Sequence, residues 1–210
     1  FGGPQWVFGL SQYTFLADGT IACIYAQEGF DYLGLIASDS HHVQPIPCAY
    51  TTLSSLQSDG NMLYLVGASP ANAAAVIRLQ PQSGATTTLR TSFTTDVDAR
   101  FFAQPESFAF PTEEELTAHA IFYPPTNPFF TAPAEERPPL IVICHGGPTG
   151  ATDTQLDLGI LFWTSRGFGV VDVNYGGSTG YGRAYKLKHR GAWGLGDVAA
   201  EQAPPGPFVR

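Results

Sequence analysis

Apolar positions along this chain fall into short runs separated by glycine, proline and small polar residues, and the runs follow two regimes. Over about the first hundred residues they are brief and repeat. Phe15-Leu16-Ala17-Asp18-Gly19-Thr20-Ile21 returns in altered form as Leu56-Gln57-Ser58-Asp59-Gly60-Asn61-Met62, 41 residues later. Each Asp-Gly lies between two apolar runs, a strong hairpin signal because both central positions tolerate positive φ. A further strand is predicted after each hairpin, over 32–37 and 75–79. A turn and another short strand follow in each copy, over 43–46 and 86–89. Four short strands in about 40–45 residues is the pattern of one propeller blade, and two such units cannot close a ring that needs about four to eight.

Beyond Phe101-Phe102-Ala103-Gln104-Pro105 the pattern changes. Residues 106–110 and 116–123 predict a strand pair joined by the acidic turn Pro111-Thr112-Glu113-Glu114-Glu115, a solvated connection. Prolines recur from Pro124 to Pro138 and exclude regular structure there. Leu140-Ile141-Val142-Ile143-Cys144 then gives five apolar residues in a row, which predicts a strand buried on both faces. A helix is predicted over 156–166 from Leu158, Leu161 and Phe162, with Asp153 or Thr154 as N-cap and Gly167 as its stop. Phe168 to Tyr175 reads as a second buried strand, so that strand, helix and strand form a right-handed βαβ unit on a parallel sheet. From Ala184 a further helix is expected, with Arg183, Lys186, Lys188 and Arg190 on a solvated face. The fold class is thus β followed by α/β, with domains over 1–104 and 105–210.

Composition narrows the function classes. Apolar residues make up 44% and aromatics 13%, but charged residues only 13%, against a usual value of about 25%. Strands and turns fit that balance better than long salt-bridged helices. A net charge of −8 excludes nucleic acid or an anionic membrane as the main partner, and no apolar run reaches the 18 residues of a spanning helix. Cys23, Cys48 and Cys144 are odd in number and scattered, so three reduced and mostly buried thiols in a cytoplasmic protein are expected. No metal-ligand spacing occurs. His41-His42 reads as a surface loop, and neither metal nor cofactor is expected.

The candidate chemistry lies in the second half. His145-Gly146-Gly147-Pro148 follows a predicted strand, and a glycine turn there can aim backbone N–H groups at a developing negative charge. Gly176-Gly177-Ser178-Thr179-Gly180 fits Gly-x-Ser-x-Gly formally and lies between a strand and a helix, as a nucleophile elbow does.

These stretches resemble one family. His145-Gly146-Gly147-Pro148-Thr149-Gly150, Trp163-Thr164-Ser165-Arg166-Gly167-Phe168 and Val171-Asp172-Val173-Asn174-Tyr175-Gly176-Gly177-Ser178-Thr179-Gly180-Tyr181-Gly182-Arg183, with Trp193-Gly194 and Asp197-Val198, are similar to the prolyl oligopeptidase family of serine peptidases. The nearest branch is that of acylaminoacyl-peptidases and dipeptidyl-aminopeptidase-like enzymes. The resemblance implies a β-propeller followed by an α/β-hydrolase domain that cleaves short peptides with a Ser-Asp-His triad. It implies that the Gly147 N–H is one oxyanion donor, the other coming from the residue after the catalytic serine, and that His145, Gly146 and Tyr175 face the substrate. In that family the Gly-Gly-Ser-Thr-Gly segment is distinct from the nucleophile elbow, so Ser178 is not expected to be the nucleophile. His189 and Asp197 are wrongly placed to complete a triad. The chain is therefore read as truncated at both ends: about two C-terminal blades and the N-terminal part of a hydrolase domain, inactive alone, with a peptide as the substrate of the intact parent. Exposed sheet edges then predict self-association. An esterase-like hydrolase and a non-catalytic propeller fragment are the alternative readings.

Overall fold

The computed structural model describes residues 7–112, 117–133, 135–147 and 149–188. The chain divides into two compact units: residues up to Thr95 together with Asp153–Leu156, and Asp96–Thr152 together with the chain from Asp157. The compositional break at 101–105 lies within the second unit.

The first unit holds two antiparallel four-stranded sheets. One contains β1 (Tyr13–Phe15), β2 (Ile21–Gln27), β3 (Phe30–Ile36) and β4 (Gln44–Ile46), and the other β5 (Thr52–Ser58), β6 (Leu63–Ser69), β7 (Asn72–Leu79) and β8 (Thr86–Thr91), each in sequential order. Equivalent strands start 42 residues apart, at 21 and 63, 30 and 72, 44 and 86. The repeat read from the two Asp-Gly turns is thus a repeat of structure. Gly19 and Gly60 sit at φ 83° and 98°, where a side chain is strained. Asp18 accepts the Thr20 N–H at 2.9 Å, and Asp59 accepts those of Asn61 and Met62 at 2.9 and 2.8 Å. The two turns also touch, the Ala17 N–H donating to the Gly60 carbonyl at 2.8 Å. Leu16, Ile24, Leu33, Leu56, Leu65 and Ile77 belong to one core shared by both sheets. One turn escaped the sequence reading: Glu28-Gly29, at φ 52° and 84°, joins β2 to β3 as a two-residue hairpin loop.

The second unit has one sheet, of β9 (Glu106–Pro111), β10 (Thr117–Tyr123), β11 (Leu140–Cys144) and β12 (Gly169–Asn174), in the order β11-β12-β10-β9. β9 and β10 pair as expected. β11 and β12 are parallel neighbours, but β10 lies antiparallel to β12, so the sheet is mixed and not wholly parallel. β12 is buried at every position, whereas β11 is exposed from Val142 to Cys144. The expectation of a strand buried on both faces therefore holds for β12 and fails for β11. β12 has strands on both sides; β11 is an edge strand with one partner among the described residues. Val171, Val173 and Tyr175 pack with Phe110, Ala118, Ala120 and Phe122 on one face, while Val170 meets Ile121 and Tyr123 on the other.

The helix between β11 and β12, α1 (Leu158–Thr164), is capped by Asp157, whose carboxylate accepts the N–H groups of Gly159 and Ile160 at 2.6 and 3.1 Å. Neither Asp153 nor Thr154 is the cap. Thr154 belongs to the first unit, where its hydroxyl meets that of Thr51 at 2.7 Å and its N–H donates to Thr52. Gly167 closes the helix at φ 89°, with Gly167 N–H to Thr164 O and Phe168 N–H to Trp163 O, both at 3.2 Å. Replacing Asp157 by alanine removes the acceptor for two orphan amides and should cost about 1 kcal/mol, so amide exchange in α1 should quicken about fivefold. Unchanged exchange would refute that role for Asp157.

The last described helix, α2, runs Gly182–Leu187, starting two residues before the expected Ala184. Among the described residues no helix is long and apolar enough to cross a membrane.

Candidate active site

Parallel pairing aligns β11 with β12, Cys144 opposite Val173, so both strands end at the same edge of the sheet. The glycine turn after β11 and the glycine-rich segment after β12 consequently lie side by side, the position where mixed and parallel sheets place their sites. The His145 ring stacks on that of Tyr175, centroids 4.4 Å apart at 22°. His145 Nε2 lies 2.7 Å from Ser178 Oγ. The Ser178 hydroxyl also lies 2.8 Å from the Tyr175 carbonyl, which can only accept; with its one proton there, Nε2–H is the donor to Ser178 Oγ. A nucleophilic serine needs the reverse, its proton going to the histidine. Ser178 is also fully buried. The Gly-x-Ser-x-Gly string is here a brace between two turns.

Tyr175 is the second brace. Its hydroxyl donates to the Gly147 carbonyl at 2.6 Å and shares that proton with the His145 carbonyl at 3.1 Å. Tyr175 is buried: its ring packs in the core and its hydroxyl is turned to the glycine turn. Gly147 sits at φ 77°, and Gly146 and Gly147 are exposed. Among the described residues neither of their N–H groups has a hydrogen-bond partner. Pro148, next in the motif, lies outside the described residues, as do His189, Arg190, Trp193 and Asp197.

Beneath the turns is a polar layer that the sequence reading missed. Asn174 is fully buried, accepts the Thr152 N–H at 2.9 Å and donates to the Tyr181 hydroxyl at 3.1 Å. The Tyr185 hydroxyl donates to the Asn174 carbonyl at 2.6 Å, and burial pushes its pKa well above the ordinary tyrosine value. Thr152 donates to the Asp172 carboxylate, and His119 stacks on Tyr181 at 4.1 Å. The signal was present: Asp172 and Asn174 alternate with valines, so period-two spacing puts both on one face of a buried strand.

The remaining candidates separate. Cys23 is buried and Cys48 half-buried, but Cys144 is exposed because β11 is an edge strand, correcting the expectation for that thiol. His41 and His42 are exposed, and no group of three metal-ligating side chains occurs among the described residues. Arg183 and Lys188 are exposed; Lys188 also lies 4.8 Å over the Tyr185 ring and donates to the Thr117 carbonyl at 3.3 Å.

No family model matches the chain. Among curated proteins, the acylamino-acid-releasing enzyme of Rattus norvegicus is 37% identical over 84 residues, 40% of this chain and 11% of that protein. Dipeptidyl peptidase family member 6 of Caenorhabditis elegans is 30% identical over 103 residues, 41% of this chain and 14% of its own. Among solved structures, a Mycobacterium tuberculosis puromycin-hydrolyzing peptidase superposes with a TM-score of 0.87 at 37% identity, covering 96% of this chain and 31% of the other. A puromycin hydrolase gives 0.86 at 39%, covering 95% and 30%. The chain thus spans less than a third of the length of each.

Proposed function

The homologues and structural neighbours of this chain are peptidases of the prolyl oligopeptidase family, and from that premise we propose that it supplies two propeller blades and the first strands of an α/β-hydrolase domain to a serine peptidase of short peptides. The Gly147 N–H is one oxyanion donor, His145 and Gly146 border the substrate, and Tyr175 and Ser178 hold the turn from behind. The observation that carries this reading is that the N–H groups of the exposed Gly146 and Gly147 have no hydrogen-bond partner among the described residues, on a turn whose flanking carbonyls are both tied to Tyr175. Fixed donors of this kind stabilise charge that develops only in the transition state. The nucleophile is not Ser178, and the chain alone has no turnover. The edge of β11 that is unpaired among the described residues supports self-association of the isolated chain.

Two measurements test this. A fluorophosphonate probe should leave Ser178 unmodified, and covalent labelling there would overturn the assignment. A complete enzyme bearing this segment should hydrolyse peptide nitroanilides; turnover of short acyl esters with none of peptides would make it an esterase.

A further inference from the structure

The first unit contains a half-buried acid that plays no part in the site just described. Asp31, at the start of β3, is fixed from two sides. Its backbone N–H donates to the Thr51 carbonyl at 2.9 Å, and its Oδ2 accepts the Leu53 N–H at 2.9 Å. Among the described residues Oδ1 has no hydrogen-bond partner. The residue lines a cavity of about 260 Å³ whose other walls include Phe30, Tyr32, Ile46, Cys48 and Tyr50. Tyr32 is itself held by stacking on Tyr25, with ring centroids 5.6 Å apart at 23°.

A fixed carboxylate in a cavity with aromatic residues in its lining defines the chemistry of a ligand. An anion would meet the charge of Asp31 and the further negative charge of Asp153, which acts on Asp31 in the same unit. A bare metal ion would need several oxygen or nitrogen ligands, and no group of three metal-ligating side chains is present among the described residues. An organic cation satisfies both kinds of wall: its ammonium pairs with the carboxylate, and its apolar body covers ring faces that attract cations. The volume falls below the roughly 300–1,000 Å³ of sites for drug-sized ligands, which limits the guest to a small amine. We propose that this cavity, lined in part by Phe30, Tyr32 and Tyr50, is a binding site for a small organic ammonium ion anchored on Asp31.

Among the titratable groups lining the cavity, Cys48 is held neutral by burial, which raises its pKa, so Asp31 supplies the charge. Phenethylamine is a suitable probe and 2-phenylethanol its neutral control, with binding followed by amide NMR shifts of Asp31, Leu53 and Tyr50 in the full chain. At pH 7.5 the amine should bind saturably and about tenfold more tightly than the alcohol. Asp31→Asn, which keeps an acceptor for the Leu53 N–H, should abolish that preference, as should lowering the pH to 4.5. Absence of saturable shifts, or equal binding of amine and alcohol to the unaltered chain, would overturn the proposal. So would amine binding that Asp31→Asn leaves unchanged.

Discussion

Replacing Tyr175 by phenylalanine lowers kcat about tenfold to a hundredfold in a complete peptidase bearing this segment, while KM stays nearly constant. The hydroxyl at 2.6 Å from the Gly147 carbonyl and 3.1 Å from the His145 carbonyl fixes the peptides on either side of Gly146. Without it both carbonyls can turn to water, and the proposed oxyanion N–H loses its fixed direction. Removing one oxyanion donor outright costs about 10²–10³ in kcat, so a donor that is present but misdirected should cost somewhat less. The ring itself remains. It keeps its stacking on His145 and its packing with Phe110, Phe122 and Val173, so the fold persists. KM is spared because the lost stabilisation acts on charge that the ground state lacks. Steady-state kinetics on a peptide nitroanilide check this: kcat and kcat/KM should fall together. A change confined to KM, or an unaltered kcat, would remove Tyr175 from this role.

Local chemistry was readable from the sequence; features that depend on distant chain were not. Asp18-Gly19 and Asp59-Gly60 announce their turns because side-chain acceptors and positive φ operate within four residues. Gly167 marks the end of α1 for the same reason. β11 and β12 share one apolar pattern, yet only β12 is buried throughout, since burial depends on which strands lie on each side and not on the run itself. Thr154 looked like a helix cap, but its partners are Thr51 and Thr52, about a hundred positions away. At the candidate site, Gly146 and Gly147 stand out in the motif, whereas the role of Tyr175 arises from the parallel alignment of two strands and leaves no local trace. Asp31 carries no pattern at all. Its setting is built by chain that returns twenty residues later, at Thr51 and Leu53.

Asp31→Asn should stabilise the first unit above pH 6. Burial raises the Asp31 pKa from the ordinary 3.8 to about 6, the Leu53 N–H opposing that shift and the charge of Asp153 adding to it. The folded state therefore holds a proton that the unfolded chain has already released between those values. The contribution of the protonated form is fully present below pH 3.8 and is lost as pH rises through about 6. A shift of about two units corresponds to about 3 kcal/mol. Solvent reaching the part-exposed side chain reduces the expected gain of the variant at pH 7.5 to about 1–2 kcal/mol. Asparagine is neutral at every pH, nearly isosteric, and still accepts from Leu53. Melting curves from pH 4 to 8 should thus show the variant and the parent converging near pH 4 and separating up to pH 6, with a constant gap above. A gap independent of pH, or a variant less stable at pH 7.5, would refute this account of Asp31. A charge held at a cavity against the cost of desolvation fits the binding role proposed for Asp31. The pH range in which the parent loses stability is then the range in which its ammonium site gains its anchor.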